Sequence, residues 1–349
     1  MKIAIVNDVP LAVEALQRSL ALRPEHRVIW VAENGAQAVE RCAQQLPDLV
    51  LMDLLMPQID GVEATRRIMA ATPCAILVVT VSVGANSSRV FEAMGHGALD
   101  AVNTPALGIG DLRQSAAPLL AKIDIIGRLI GDGAGTSGAA RNARRASLQS
   151  GRPWLVAIGA SAGGPAALAT VLGGLPAGFP GAVVIVQHVD EQFAAGMASW
   201  LGQHCALPVR VAKEGDTPTA GAVLLASTND HLRLKTSTRL GYTHEPLDQI
   251  YRPSVNVFFE SASELWAGKA VGVLLTGMGR DGARGLRALR DKGHYTIAQD
   301  QATSAVHGMP KAAAALHAAV DILPIERVAP ALIKAVAGKA THRRTNDDE

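Results

Sequence analysis

DLVLMDLLMPQIDG (48–61) and WLVAIGASAGG (154–164) decide how this chain folds. Each is an apolar run that stops on a polar side chain. The first ends on Asp53 and is followed by Met56-Pro57 and Asp60-Gly61; the second ends on Ser161 between glycines. Continuous apolar runs of this kind suit strands buried on both faces of a parallel sheet. Functional groups in such sheets gather beyond the carboxyl ends of the strands, which is where Asp53 and Ser161 would stand.

Working outward from Asp53, further short runs appear at KIAIV (2–6), VIWVA (28–32), AILVV (75–79) and DAV (100–102). Between them PLAVEALQRSLAL (10–22), AQAVERCAQQL (36–46) and GVEATRRIMAA (61–71) place apolar residues three and four apart, the helical period. Five strands alternating with helices predict a doubly wound, flavodoxin-like parallel sheet over residues 1–125. Pro10 and Asn34-Gly35 stand where helices should begin.

Residues 126–152 break the pattern with a Gly-, Ala-, Ser- and Arg-rich stretch that reads as a flexible basic linker. Working outward from Ser161, a second α/β alternation fills 153–338. Strands are expected at 154–158, 182–187, 208–212, 222–226, 270–275 and 295–298, in a mainly parallel sheet. HLRLKTSTRLGYTHE (231–245) alternates with period two about a turn-prone middle and predicts a β-hairpin. The polar residues 339–349 read as a disordered tail.

With 349 residues, two cores are the natural expectation, and 48% hydrophobic residues suffice to fill them. Thirty-three basic and 31 acidic residues nearly cancel, and no basic cluster predicts nucleic-acid binding. Three widely spaced cysteines without CxxC pairing argue against a disulfide frame or a zinc site. The start MKIAIVND enters a strand directly, and no run reaches the roughly 18–20 apolar residues needed to cross a bilayer. A cytoplasmic protein without direct membrane insertion is the expectation.

Two sites follow from these placements. Asp8 ends the first strand and Asp53 the third, so two carboxylates should meet at one sheet edge. A hard, oxygen-seeking ion such as Mg2+ would screen them. Thr80, ending the fourth strand, could hydrogen-bond a phosphoryl group on Asp53. In the second half, GASAG (159–163) has the G-x-S-x-G form of a strand-to-helix turn that presents a serine. His188, at the end of AVVIVQHVD, and Asp281, after the glycine-rich turn of AVGVLLTGMGRDG, stand at the same edge. A serine needs a base within reach, and that base needs an orienting carboxylate. A nucleotide-binding loop is the rival reading, with Asp190 as its acid. An α/β-hydrolase would instead recruit His307 or His317.

On Asp8, Asp53, Met56-Pro57, Asp60-Gly61 and Thr80, residues 1–122 resemble response-regulator receiver domains. GASAGG, QHV, TGMGRDGA, RPSVNVFFESA (252–262) and DQATSAVHGMPKAA (300–314) resemble the catalytic domain of the CheB family of chemotaxis methylesterases. The resemblance implies a phosphorylation-regulated hydrolase of glutamate γ-methyl esters on chemoreceptor cytoplasmic helices, with glutamine deamidation as a second activity. It implies Ser161 as nucleophile, His188 as general base and Asp281 as orienting acid. The backbone amides of Ala162 and Met278 would form the oxyanion hole. Asp53 would take phosphate from a histidine kinase, Asp8 and Asp53 would bind Mg2+, and the ester step would need no cofactor. The receiver would cover the catalytic edge until phosphorylated.

Three residues depart from the family pattern: Asn7 replaces an acid, Thr104 a lysine, and Ala162 a threonine. VNDVPLAVEAL and FEAMGHGALDAVNTPALG are similar to the subgroup of Wsp-type surface-sensing pathways. The contrasting reading is a receiver joined to a catalytically weak binding module.

Overall fold

The structure, a computed structural model, describes residues 1–106, 111–131 and 154–337. The first unit runs β1 (Lys2–Val6), α1 (Pro10–Leu20), β2 (Arg27–Ala32), α2 (Gly35–Gln44), β3 (Leu49–Met52), α3 (Gly61–Ala71), β4 (Ala75–Thr80), α4 (Ser87–Gly95), β5 (Asp100–Asn103) and α5 (Leu112–Gly131). Its five strands lie in the order β2-β1-β3-β4-β5 and pair in parallel throughout. Helix starts follow local chemistry. Pro10 opens α1, where its missing N–H costs nothing, and the Asn34 side chain caps α2 by accepting from Gln37 N. Asp60 caps α3 in the same way through Glu63 N, which explains the Asp-Gly turn seen in the sequence.

The second unit continues with β6 (Trp154–Ala160), α6 (Gly164–Gly173), β7 (Gly181–Gln187), α7 (Glu191–Gln203), β8 (Val209–Val211), β9 (Val223–Leu225), β10 (His231–Leu234) and β11 (Leu240–Thr243). It closes with α8 (Val255–Leu265), β12 (Ala270–Leu274), α9 (Ala283–Asp291), β13 (Tyr295–Gln299), α10 (Met309–Ala315), β14 (Asp321–Leu323) and α11 (Ile325–Val336). Seven strands form one parallel sheet in the order β14-β13-β12-β6-β7-β9-β8. β10 and β11 form the expected antiparallel hairpin. β6 and β7 are buried along nearly their whole length, consistent with strands covered on both faces.

Two features differ from the sequence reading. α5 runs six residues past 125, because Ile126 extends its apolar period into the packed interior. Residues 126–131 are therefore helix, not linker; the rest of the linker stretch and the tail 339–349 lie outside the described residues. The edge strand β14 was not expected: it is short and largely exposed, so it carries no apolar run. Among the described residues, no helix is long and apolar enough to cross a membrane.

The two units pack together. α4 lies against α7, with Phe91 and Trp200 both buried and their ring centroids 6.1 Å apart. The Trp200 indole also covers Gly95, and Ser87 sits on Gly196.

Within the second unit, β6 approaches α8 so closely that a Cβ on Gly159 would overlap Val255 Cγ1 at the start of that helix. Gly159→Ala is therefore expected to destabilise the fold by about 1–3 kcal/mol through overpacking. Thermal denaturation should show a lowered midpoint, and an unchanged midpoint would contradict this packing.

Candidate active site

Ser161 and His188 become neighbours through strand register. β6 and β7 pair up to Ala160↔Gln187, and His188 N–H donates to Ala160 O at 3.1 Å as both chains leave the sheet. The turn is pinned from both sides. The buried Gln187 amide donates to Ser161 O at 2.8 Å, and Ser161 N–H donates to Thr276 O at 3.0 Å. Gly164 must lack a side chain, since a Cβ there would overlap Gln187 Oε1. Thr276 Oγ1 donates to Ala162 O at 2.9 Å, tying the serine turn to the loop that follows β12.

That loop delivers Asp281 to the amino end of α8. The carboxylate is 5% exposed and accepts from Ser254 Oγ (2.9 Å), Val255 N (2.7 Å), Asn256 N (3.1 Å) and His188 Nε2 (2.8 Å). Burial alone would raise its pKa. The His188 hydrogen bond and charge, with the amides of Asn256 and Val255, outweigh burial and hold it below the ordinary 3.8. An ionised carboxylate accepts only, so the proton of neutral His188 sits on Nε2. His188 Nδ1 is then the basic nitrogen, and it is buried without a hydrogen-bond partner among the described residues. In the familiar Ser-His-Asp arrangement Nδ1–H faces the acid and Nε2 faces the serine; here the two nitrogens exchange places.

The structure thus joins His188 to Asp281 and sets Ser161 beside them by register. No Ser161–His188 hydrogen bond is present among the described residues, as is common before substrate tightens such a site. The amides of Ala162 and Met278 donate to no acceptor among the described residues, so both are free to meet an oxyanion. Among the described residues neither His307 nor His317 makes a hydrogen bond to Asp281; His307 bridges Gly277 through its backbone, and His317 ends the turn after α10. Asp190 caps α7, accepting from Gln192 N.

Tyr251, Ser254 and His231 were not singled out from sequence. Tyr251 stacks on His188, with centroids 4.2 Å apart and planes 5° from parallel. The fully buried His231 accepts from Ser254 N through Nδ1 at 3.1 Å, while its Nε2 faces Pro246 O. Ser254 lay inside the quoted RPSVNVFFESA, and its N-cap position before an apolar run was the available signal. Tyr251 carried none, because a lone aromatic in a loop has no periodic context; His231 was read only as the first residue of the expected hairpin, whose alternation says nothing about a contact with Ser254.

In the first unit, Asp53 is buried at the end of β3. It accepts from Asn7 Nδ2 at 3.1 Å and Leu54 N at 2.7 Å. Burial pushes its pKa up, the Leu54 and Leu55 amides oppose this, and the charge of Asp8 adds a smaller upward push. Asn7 Oδ1 is already taken by Val9 N at 2.8 Å, leaving the carboxylates of Asp8 and Asp53 as the donors for a cation. This sparse oxygen set fits Mg2+, which keeps several waters. Thr80 Oγ1 accepts from Asn86 Nδ2 at 3.2 Å, and the buried Thr104 Oγ1 has no partner among the described residues.

The comparisons agree with both halves. The family described as CheB methylesterase matches residues 156–332, and the response regulator receiver domain matches residues 3–116. A protein-glutamate methylesterase/protein-glutamine glutaminase of Pseudomonas putida is 64% identical over 94% of this chain and 97% of its own. One from Burkholderia thailandensis is 62% identical over 99% of this chain and 100% of its own. The crystal structure of the Thermotoga maritima CheB methylesterase catalytic domain is 33% identical. It covers 52% of this chain and 97% of that one, with a TM-score of 0.50.

Two outcomes follow from the geometry. Stacked aromatic pairs contribute about 0.5–1.5 kcal/mol, so Tyr251→Ala should lower kcat roughly two- to tenfold with KM little changed. Tyr251→Phe should keep the wild-type rate and pH profile; a loss confined to KM would contradict ring positioning. Because the folded pKa of Asp281 is depressed, its stabilisation is complete above the ordinary value and is lost as pH falls through the folded one. Asp281→Asn should therefore flatten the acid limb of the stability curve below about pH 4. It should also lower kcat by roughly 10⁴-fold.

Proposed function

We propose, because this chain belongs to the CheB methylesterase family, that it hydrolyses glutamate γ-methyl esters on the cytoplasmic helices of methyl-accepting chemoreceptors. Deamidation of receptor glutamine by the same acyl chemistry is its second activity. The protein works in the cytoplasm, with residues 1–125 as regulatory unit and 153–338 as catalytic unit. The observation that carries the catalytic assignment is the buried, unpartnered His188 Nδ1 beside a histidine ring fixed by Asp281.

Ser161 Oγ attacks the ester carbonyl while His188 Nδ1 takes its proton. The imidazolium keeps Nε2–H on Asp281, whose charge balances it. The carbonyl oxygen, now negative, accepts from the amides of Ala162 and Met278. His188 returns the proton to the methoxide oxygen, and methanol leaves. Water attacks the acyl-enzyme with His188 again as base; the acyl bond to Ser161 Oγ then breaks as His188 returns the proton to that oxygen, and the released glutamate carries a restored negative charge. The scheme routes no step through a metal.

Control by Asp53 is supported by the packing between the units. Leu99 O, just before β5, accepts from Gly163 N at 3.4 Å, so receiver backbone touches the serine turn itself. α4 packs on both α6 and α7, the helices that follow Ser161 and His188. A phosphoryl group from a histidine kinase on Asp53, with Mg2+ on Asp8 and Asp53, would accept from the Thr80 hydroxyl, which still has a lone pair for Asn86 Nδ2. Donating to the phosphoryl group would turn that hydroxyl and draw on Asn86, which immediately precedes α4. A tenfold rise in activity requires only about 1.4 kcal/mol of difference between the closed and open arrangements.

The test is methanol release from methylated receptor membranes. Wild-type rate should rise with a phosphodonor, and Asp53→Asn should not respond. Ser161→Ala should lose roughly 10⁴-fold or more in kcat. Full adaptation by Ser161→Ala would instead favour the binding-module reading.

A further inference from the structure

We propose that Glu25, His26 and Asp124 form a second cation site, for a borderline divalent ion of the zinc class, which clamps the α1–β2 connection to α5. It lies apart from the phosphoacceptor. β2 begins at Arg27, so Glu25 and His26 stand at the amino edge of the sheet, whereas Asp8 and Asp53 stand at its carboxyl edge.

The first observation is the cluster: one ligand atom from each of the three residues lies within 4.8 Å of the others. The second, independent one is the histidine. Its side chain is 6% exposed, and both ring nitrogens are buried without a hydrogen-bond partner among the described residues. A buried imidazole with neither nitrogen satisfied is rare in native structures and points to a missing partner.

The distances suit a shared ion better than a direct bond. His26 Nε2 lies 3.7 Å from Asp124 Oδ1, beyond hydrogen-bond range. With both ligands at about 2.1 Å, that separation corresponds to an angle of roughly 120° at the ion. Arg23 holds the other carboxylate oxygen, Asp124 Oδ2, at 3.4 Å and leaves Oδ1 facing the histidine. Ligating carboxylates commonly have an outer hydrogen bond of this kind. The Met1 ammonium is engaged at 2.6 Å by the Glu25 carbonyl, not by its carboxylate.

One imidazole and two carboxylates form a mixed nitrogen–oxygen set, which suits Zn2+ better than Mg2+ or Ca2+, with water completing the shell. Bound there, the ion would fix the helix through which the chain leaves the first unit.

The experiment uses the untagged full chain, stripped with chelator and titrated with Zn2+ in excess Mg2+, which fills the carboxylate pair at Asp8 and Asp53. One equivalent of zinc is expected to bind and to raise the thermal midpoint by roughly 5 °C at a hundredfold excess over Kd. His26→Ala and Asp124→Asn should each abolish both effects, and Asp53→Asn should keep them. Circular dichroism checks that each variant is folded; should His26→Ala unfold, Asp124→Asn decides. The proposal is overturned if wild type shows no zinc-dependent shift. It is equally overturned if the folded variants bind zinc as wild type does.

Discussion

A carboxylate held ionised inside the protein organises the second unit. Asp281 is buried, and burial by itself would raise its pKa and favour the neutral acid. Its pKa is nevertheless lowered, first by the His188 hydrogen bond and charge and then by the Asn256 and Val255 amides at the positive end of α8, while the Ser254 hydroxyl also donates to it. Each layer of the site depends on this. The fixed charge puts the proton of a neutral His188 on Nε2, and that leaves Nδ1 as the acceptor nitrogen, without a hydrogen-bond partner among the described residues. His231 supports the same place from below by accepting Ser254 N–H, so the helix start is itself held. The exchange of ring nitrogens is a consequence of where α8 begins. Asp281 reaches the ring from the side on which that helix starts, and only Nε2 faces it.

The same edge of the sheet makes regulation possible. The helices that follow Ser161 and His188 start at the catalytic turns, so anything packed on α6 and α7 bears on the site. α4 of the first unit does so through Phe91 and Trp200, while Leu99 reaches the Gly163 amide. At the serine turn the contact is a long hydrogen bond, 3.4 Å from Gly163 N to Leu99 O. On the first unit's side, Thr80 at the end of β4 is tied to the start of α4 through the Asn86 amide.

Both sheets were legible in the sequence because their central strands are buried on both faces and read as unbroken apolar runs. Ser161, His188 and Asp281 were legible because each ends or follows such a run. What escaped was held by contacts that leave no local pattern. Tyr251 meets His188 only after the chain folds back, and α5 outruns 125 because Ile126 finds packing that composition does not announce. β14 is three residues, two of them exposed, whose strand character comes from its neighbour β13. The pairing of His26 with Asp124 spans two elements nearly a hundred positions apart, so no spacing rule would reveal it.

Asn7 and Thr104 change the balance of the phosphoacceptor in a consistent direction. With a neutral amide beside Asp53 in place of a second acid, the raised pKa of Asp53 comes chiefly from burial and only secondarily from Asp8. The pair of carboxylates therefore carries less mutual repulsion, and a cation there would meet one fewer carboxylate. At the other side, Thr104 offers a neutral hydroxyl where the family has an ammonium. Charge-assisted hydrogen bonds are about twice as strong as neutral ones, so the phosphorylated state gains less from that corner. Thr80 is the remaining neutral hydroxyl at that edge, and its oxygen already accepts from Asn86 at the start of α4, with its own proton still available to an acceptor on Asp53.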